Sequence, residues 1–109
     1  MPTVYKVLAQ SAPSAAQNVA LYTTPSATQA VCSTLAVCNR GGVSATYRVA
    51  VRPSGASLAN QHYIVYDAFL PAYSTDTISI GMTLSATDVV GIYASSADLS
   101  FSLFGSELT

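Results

Sequence analysis

The chain is 109 residues long, carries four basic and five acidic residues, and has a net charge of −1 at pH 7. Its charged content of 8% compares with about 25% in an ordinary soluble domain, while half of its residues are hydrophobic and its mean hydropathy is +0.41. No run of Lys and Arg is present to neutralise phosphates, which argues against nucleic-acid binding, and no apolar stretch is long enough for a membrane-spanning helix.

The predicted elements are all strands. Thr3 to Ala9 is the first, followed by a polar loop to Asn18 that contains Pro13. Val19 to Thr24 is the second, ended by Pro25 and Ser26. Gln29 to Asn39 is the longest, with Val31, Leu35 and Val37 on one face and Ala30, Cys32, Ala36 and Cys38 on the other. Apolar residues on both faces predict a central strand. Asn39-Arg40-Gly41-Gly42 is the strongest turn signal, because two glycines accept positive φ at little cost.

Val43 to Arg52 then alternates. Val43, Ala45, Tyr47, Val49 and Val51 are expected to face inward, and Ser44, Thr46, Arg48, Ala50 and Arg52 outward. Pro53-Ser54-Gly55 closes that strand and opens a polar loop to Gln61. His62 to Leu70 is the fifth strand, stopped by Pro71. Thr77 to Leu84 is the sixth, with Ile78, Ile80, Met82 and Leu84 inward. Val89 to Ala94 and Leu99 to Leu108 complete the set, the last turning Leu99, Phe101 and Leu103 to the core. About eight short strands with no helical period predict an all-β antiparallel β-sandwich, either a jelly roll or an Ig-like Greek key. One domain, 1–109, accounts for the whole sequence.

A surface so neutral and rich in small residues favours association, so much of it is expected to be covered by other protein. Residues Met1 to Lys6 lack the basic and apolar regions of a signal peptide, and synthesis in the cytoplasm is expected. Cys32 and Cys38 lie six positions apart in one predicted strand, on the same face if the strand is regular. Their Cα atoms would then be about 20 Å apart, whereas a disulfide needs less than about 7 Å. Both are expected to be free thiols acting as small hydrophobes. Two Cys and one His do not make a zinc site, and no acidic loop with calcium-binding spacing occurs. No metal and no cofactor is expected.

Catalysis requires paired groups of tunable pKa, and the inventory is thin. Asp76, Asp88 and Asp98 sit at strand ends or turns, where carboxylates cap backbone N–H groups. His62 and Asp67 have opposite parity in one strand, and no nucleophile elbow accompanies them. A non-enzymatic role is expected. The candidate interface residues are Arg40, Arg48, Arg52, His62 and Tyr63. Arg48 and Arg52 share one outward face, suited to carboxylates or carbonyls of a neighbouring subunit. Seven tyrosines supply large amphipathic area for a core or an interface. Tyr63 and Tyr66 have opposite parity, so one of them must face outward. A carbohydrate-binding reading of the tyrosines lacks both tryptophan and clustered polar partners.

The segments Leu21 to Thr28, Val37-Cys38-Asn39-Arg40-Gly41-Gly42, Tyr47 to Pro53, Leu58-Ala59-Asn60-Gln61-His62-Tyr63 and Ala86 to Val90 resemble a family of small virion structural proteins of tailed bacteriophages, common in phages of cyanobacteria. The resemblance runs from about residue 4 to residue 108. It implies a β-sandwich building block of the virion without catalytic residues. With no stalk, fibre repeat or coiled coil in the sequence, a capsid decoration (cement) protein bound to the major capsid protein is the expected role. A small tail or fibre-adaptor subunit, bound to tail subunits, and a surface glycan- or receptor-binding module are the alternatives. A homo-oligomer is expected, with a trimer favoured by three-fold lattice junctions, and contacts from the terminal segments Pro2 to Val7 or Phe104 to Thr109.

Overall fold

Alternating apolar residues make strands wherever one face can be buried, and here two such faces close on each other. The computed structural model describes residues 3–79 and 81–109; Met1, Pro2 and Ile80, the last expected to face inward, lie outside the described residues. Its strands are β1 (Thr3–Ser11), β2 (Gln17–Thr23), β3 (Gln29–Asn39), β4 (Ala45–Arg52), β5 (Tyr63–Leu70), β6 (Thr75–Ile78), β7 (Met82–Leu84), β8 (Val89–Ala94) and β9 (Leu99–Leu108). They form two antiparallel sheets, one ordered β1-β9-β3-β6 with β7 also on β3, the other β2-β8-β4-β5. The protein is an all-β sandwich.

β6 and β7 pair with successive parts of β3 and act as one interrupted edge strand, so the predicted sixth strand is split in two. Counting them as one, the pairs are nested: first with last, second with second-last, and inward to the β4–β5 hairpin. An Ig-like arrangement does not fit, because β1 and β2 lie in different sheets.

The core between the sheets holds Leu35, Val37, Val49, Leu70, Val90, Leu99, Phe101 and Leu103, all at most 1% exposed. Each such side chain contributes about 1.5–3 kcal/mol by leaving water. Tyr47 packs edge-on against Phe101, with ring centroids 6.2 Å apart. Tyr47, Val49, Met82, Leu99, Phe101 and Leu103 are buried as their alternation predicts, and Val51 and Ile78 pack against the core from its margin. Val43 is a correction. It precedes β4 and is 75% exposed, because the Asn39 turn holds the chain away from the sheet until Ala45.

A second correction concerns the faces of β3. Between Cys32 and Thr34 the register with β9 shifts by one residue, leaving Ser33 as a bulge whose Oγ donates to the carbonyl of Phe104 at 3.3 Å. A bulge reverses the parity of everything beyond it. Ala30 and Cys32 point into the core before it, and Leu35, Val37 and Asn39 after it. Cys38 is therefore on the outer face, opposite to Cys32, and only partly buried, while both thiols are free. Burial pushes the Cys32 thiol up to about 11. A thiol-alkylating reagent at pH 8 should modify Cys38 well before Cys32, read by peptide mass mapping over time; equal rates would contradict the opposed faces.

Candidate functional site

Arg48 leaves the outer face of β4 at the centre of the second sheet. Its Nε and Nη2 donate to the two carboxylate oxygens of Asp67 at 2.6 and 3.3 Å. The guanidinium carbon lies 4.3 Å from the ring centroid of Tyr66 and 4.4 Å from that of Tyr93, a cation between two aromatic faces. The Asp67 carboxylate raises the guanidinium further above its ordinary range and keeps it charged.

Strand parity alone does not foresee this cluster. β5 shifts register twice against β4, between Tyr63 and Val65 and between Val65 and Ala68, and Asp67 takes a left-handed φ of 51°. Those irregularities bring Asp67 to Arg48 and set Tyr63 and Tyr66 edge to face at 4.9 Å. Tyr66 faces outward, as one of the pair was expected to, but the opposite parity does not survive the register shifts, and the two rings meet.

Beside Arg48 lies a trough of about 220 Å³. Its floor is one transverse row of small residues, Ala20, Gly91 and Ala50, which are register partners across β2, β8 and β4. The next row, Asn18, Tyr93 and Arg48, makes one wall. Arg52 makes the other, and Tyr63 with Leu58 closes the end towards β5. The connection from Pro53 to His62 forms that end. It is pinned by Asp88, whose carboxylate accepts from the backbone N–H groups of Ser54 at 2.8 Å and Ser85 at 2.9 Å. Arg52 donates through Nη1 to the Ala56 carbonyl at 3.1 Å and has no carboxylate partner among the described residues.

Of the five interface residues expected from the sequence, Arg48, Arg52 and Tyr63 meet at this trough. Arg40 does not join them. It lies in the β3–β4 connection, bonded through Nε to Ser100 Oγ at 2.7 Å and through Nη2 to the Ala97 carbonyl at 2.9 Å. His62 is 8% exposed and accepts the Ala59 backbone N–H at Nδ1, 3.0 Å away, so it shapes the 53–62 connection from within. Among the described residues, no three His, Cys, Asp or Glu side chains gather as a metal site.

Two polar links between the sheets were not legible in the sequence. Tyr47 on β4 donates to Asp76 on β6 at 3.0 Å; burial first, then this carboxylate, pushes its hydroxyl up to about 12. Asp76 thus accepts a cross-sheet phenol, where the sequence suggested a turn cap. At the other end Tyr22 on β2 donates to Glu107 on β9, which also pairs with Lys6 Nζ at 2.7 Å. Burial, followed by Glu107, raises the Tyr22 hydroxyl above its ordinary range. Lys6 and Tyr22 together hold the Glu107 carboxyl below its own. A carboxyl whose pKa is lowered by folding contributes stability above its unfolded value, about 4.3, that is lost as pH falls through the folded one. Melting temperature should therefore drop below about pH 4.3, and Glu107→Gln should flatten that drop while lowering the melting temperature at pH 7. An unchanged acid limb in the variant would remove Glu107 from the account.

The chain matches no protein-family model and no curated protein sequence.

Proposed function

We propose that this chain is a non-enzymatic virion structural protein of a tailed phage, a decoration subunit that binds the coat lattice and clamps neighbouring capsomers. The observation that carries an assembly role is the outer face of the first sheet. There Tyr5 and Val7 on the edge strand β1, Phe104 on β9 and Val31 on β3 form one contiguous apolar patch, from 36% to 84% exposed. Among the described residues β1 pairs with β9 alone, and an open strand edge beside an apolar face suits extension of a neighbour's sheet. The nested strand order supports the same reading, since jelly rolls serve in viral shells, although fold by itself assigns no function. Affinity would come from neutral area at about 25 cal/mol per Å² less the cost of association, repeated at every lattice site, with a trimer as the bound form.

Quantitative mass spectrometry of purified particles tests the proposal. Hundreds of copies per particle are expected; a few to dozens would move the chain to the tail, and absence from particles would overturn the reading. The subunit should also stay bound in 1 M NaCl, where the Debye length shrinks from about 10 to 3 Å, and Val31→Asp with Phe104→Asp should release it. Loss by salt alone would mean that charges dominate the contact.

A further inference from the structure

The trough on the second sheet lies on the opposite side of the sandwich from the apolar patch, so a subunit docked through that patch leaves it open to solvent. We propose that it binds one acidic sugar residue, a pyranose ring bearing a carboxylate such as a hexuronate. The proposal stands whether or not the chain is part of a virion.

The argument begins with what is missing from the sheet. Strand faces normally carry a side chain at every position of a transverse row, yet Ala20, Gly91 and Ala50 leave one row low, between Asn18, Tyr93 and Arg48 on one side and Arg52 on the other. The resulting space of about 220 Å³ falls below the roughly 300–1,000 Å³ of sites that enclose drug-sized ligands. It has room for a single ring and its substituents. The floor is apolar and carries nothing larger than a methyl group, so a sugar ring face can lie against it. The walls offer the Asn18 amide and the Tyr63 and Tyr93 rings and hydroxyls, groups that complement a ring of alternating C–H and O–H.

Charge selects the acid. The two arginines differ in what they have left to offer. Arg48 has its fork filled by Asp67 and both faces covered by Tyr66 and Tyr93, so it fixes the wall. Arg52 gives one N–H to a backbone carbonyl and has no carboxylate partner among the described residues. A ligand carboxylate at the Arg52 side completes the pair with a charge-assisted hydrogen bond. An acidic side chain from another protein would satisfy Arg52 equally well but would leave the small-residue floor unused, which is why the ring is favoured.

Amide spectra of the 15N-labelled chain, titrated with sodium glucuronate, galacturonate, glucose and glutarate, test the proposal. Saturable shifts at Ala20, Gly91 and Tyr93 with a uronate are expected at about millimolar affinity, the level of one small ring. Glucose should bind about tenfold more weakly, as should the uronate to Arg52→Gln, the loss expected for one charged hydrogen bond. Gly91→Val should abolish binding by filling the floor. A Cβ at Gly91 meets only Val19 O at 3.7 Å and Ala50 O at 4.0 Å, so the backbone accepts it, and the same spectra report whether the fold is kept. Arg52→Gln, at the trough wall, keeps the test valid if Gly91→Val does not fold. No saturable shift with either uronate, equal binding of glutarate, or unchanged binding in a folded Gly91→Val would each overturn the proposal.

Discussion

Gly105→Ala should destabilise the protein by more than about 3 kcal/mol, among the largest effects of any single methyl group in the chain. A Cβ at this position would lie 2.1 Å from the Val31 carbonyl oxygen, 2.9 Å from Cys32 Cα and 3.0 Å from the Val31 carbonyl carbon. All three are backbone atoms of the neighbouring strand, so no side-chain rotation relieves the clash. The close approach arises because Ser33 bulges out of β3 opposite this stretch of β9, drawing the β3 backbone across Gly105. Relief would require the bulge to straighten. That would send either Ala30 and Cys32 or Leu35, Val37 and Asn39 to the wrong face of the sheet. A loss of this size lowers the melting temperature by more than about 12 °C in a domain of this length. Urea denaturation of the variant measures it, and a loss below about 1 kcal/mol would show that the strands can separate at Gly105 without cost.

Asn39→Asp is expected to be of similar severity, by electrostatics instead of bulk. Asn39 ends β3 with 1% of its surface exposed. Its Nδ2 donates to the carbonyls of Val43 at 2.9 Å, Leu70 at 3.3 Å and Pro71 at 3.2 Å, and its Oδ1 accepts the Gly41 N–H at 2.9 Å. One amide thus ties the β3–β4 turn to the end of β5. The isosteric carboxylate keeps the volume but points an anionic oxygen at three carbonyl oxygens in a buried site, a change of about 3–5 kcal/mol at pH 7. The pH dependence identifies the cause. Folding would raise the pKa of the introduced carboxyl above its unfolded value of about 3.9, so the penalty is absent below that value and grows as pH rises towards the folded one. The variant should be closest to the parent near pH 4 and furthest from it at pH 7. Asn39→Ala, which removes the amide without adding charge, should be destabilised nearly equally at both. If Asn39→Asp is no worse at pH 7 than at pH 4, the buried-charge account fails.

These two residues also show where reading the chain stops. Asn39 stands at the end of a strand whose limits, Gln29–Asn39, follow from the alternation and the Arg-Gly-Gly turn after it. That the side chain reaches Leu70 and Pro71, more than thirty positions away, is invisible until the strands are placed. The same holds for Arg48 and Arg52. Their shared outward face is legible in the spacing of β4, but Arg48 meets Asp67 only because β5 shifts register twice. Arg40 shows the reverse: similar in type, it sits in another connection with its own backbone and Ser100 partners.

What the sequence by itself determined is the strand class, the limits of most strands, the burial of Ala45, Tyr47 and Val49 on β4 and of the first half of β9, and the low surface charge; Ala50, expected outward, is only 3% exposed. Alternation and turn chemistry act over two to four residues, so they are written locally. Only the tertiary structure decided the faces of Cys38, Tyr63 and Asp67, the two tyrosine–carboxylate links between sheets, and the trough over Gly91. Each of these depends on a bulge, on a transverse row or on how the two sheets stack, and all three are relations between strands distant in sequence. A bulge is one surplus residue against its partner strand; it changes no composition and leaves no period behind, yet it turns every following side chain to the other side.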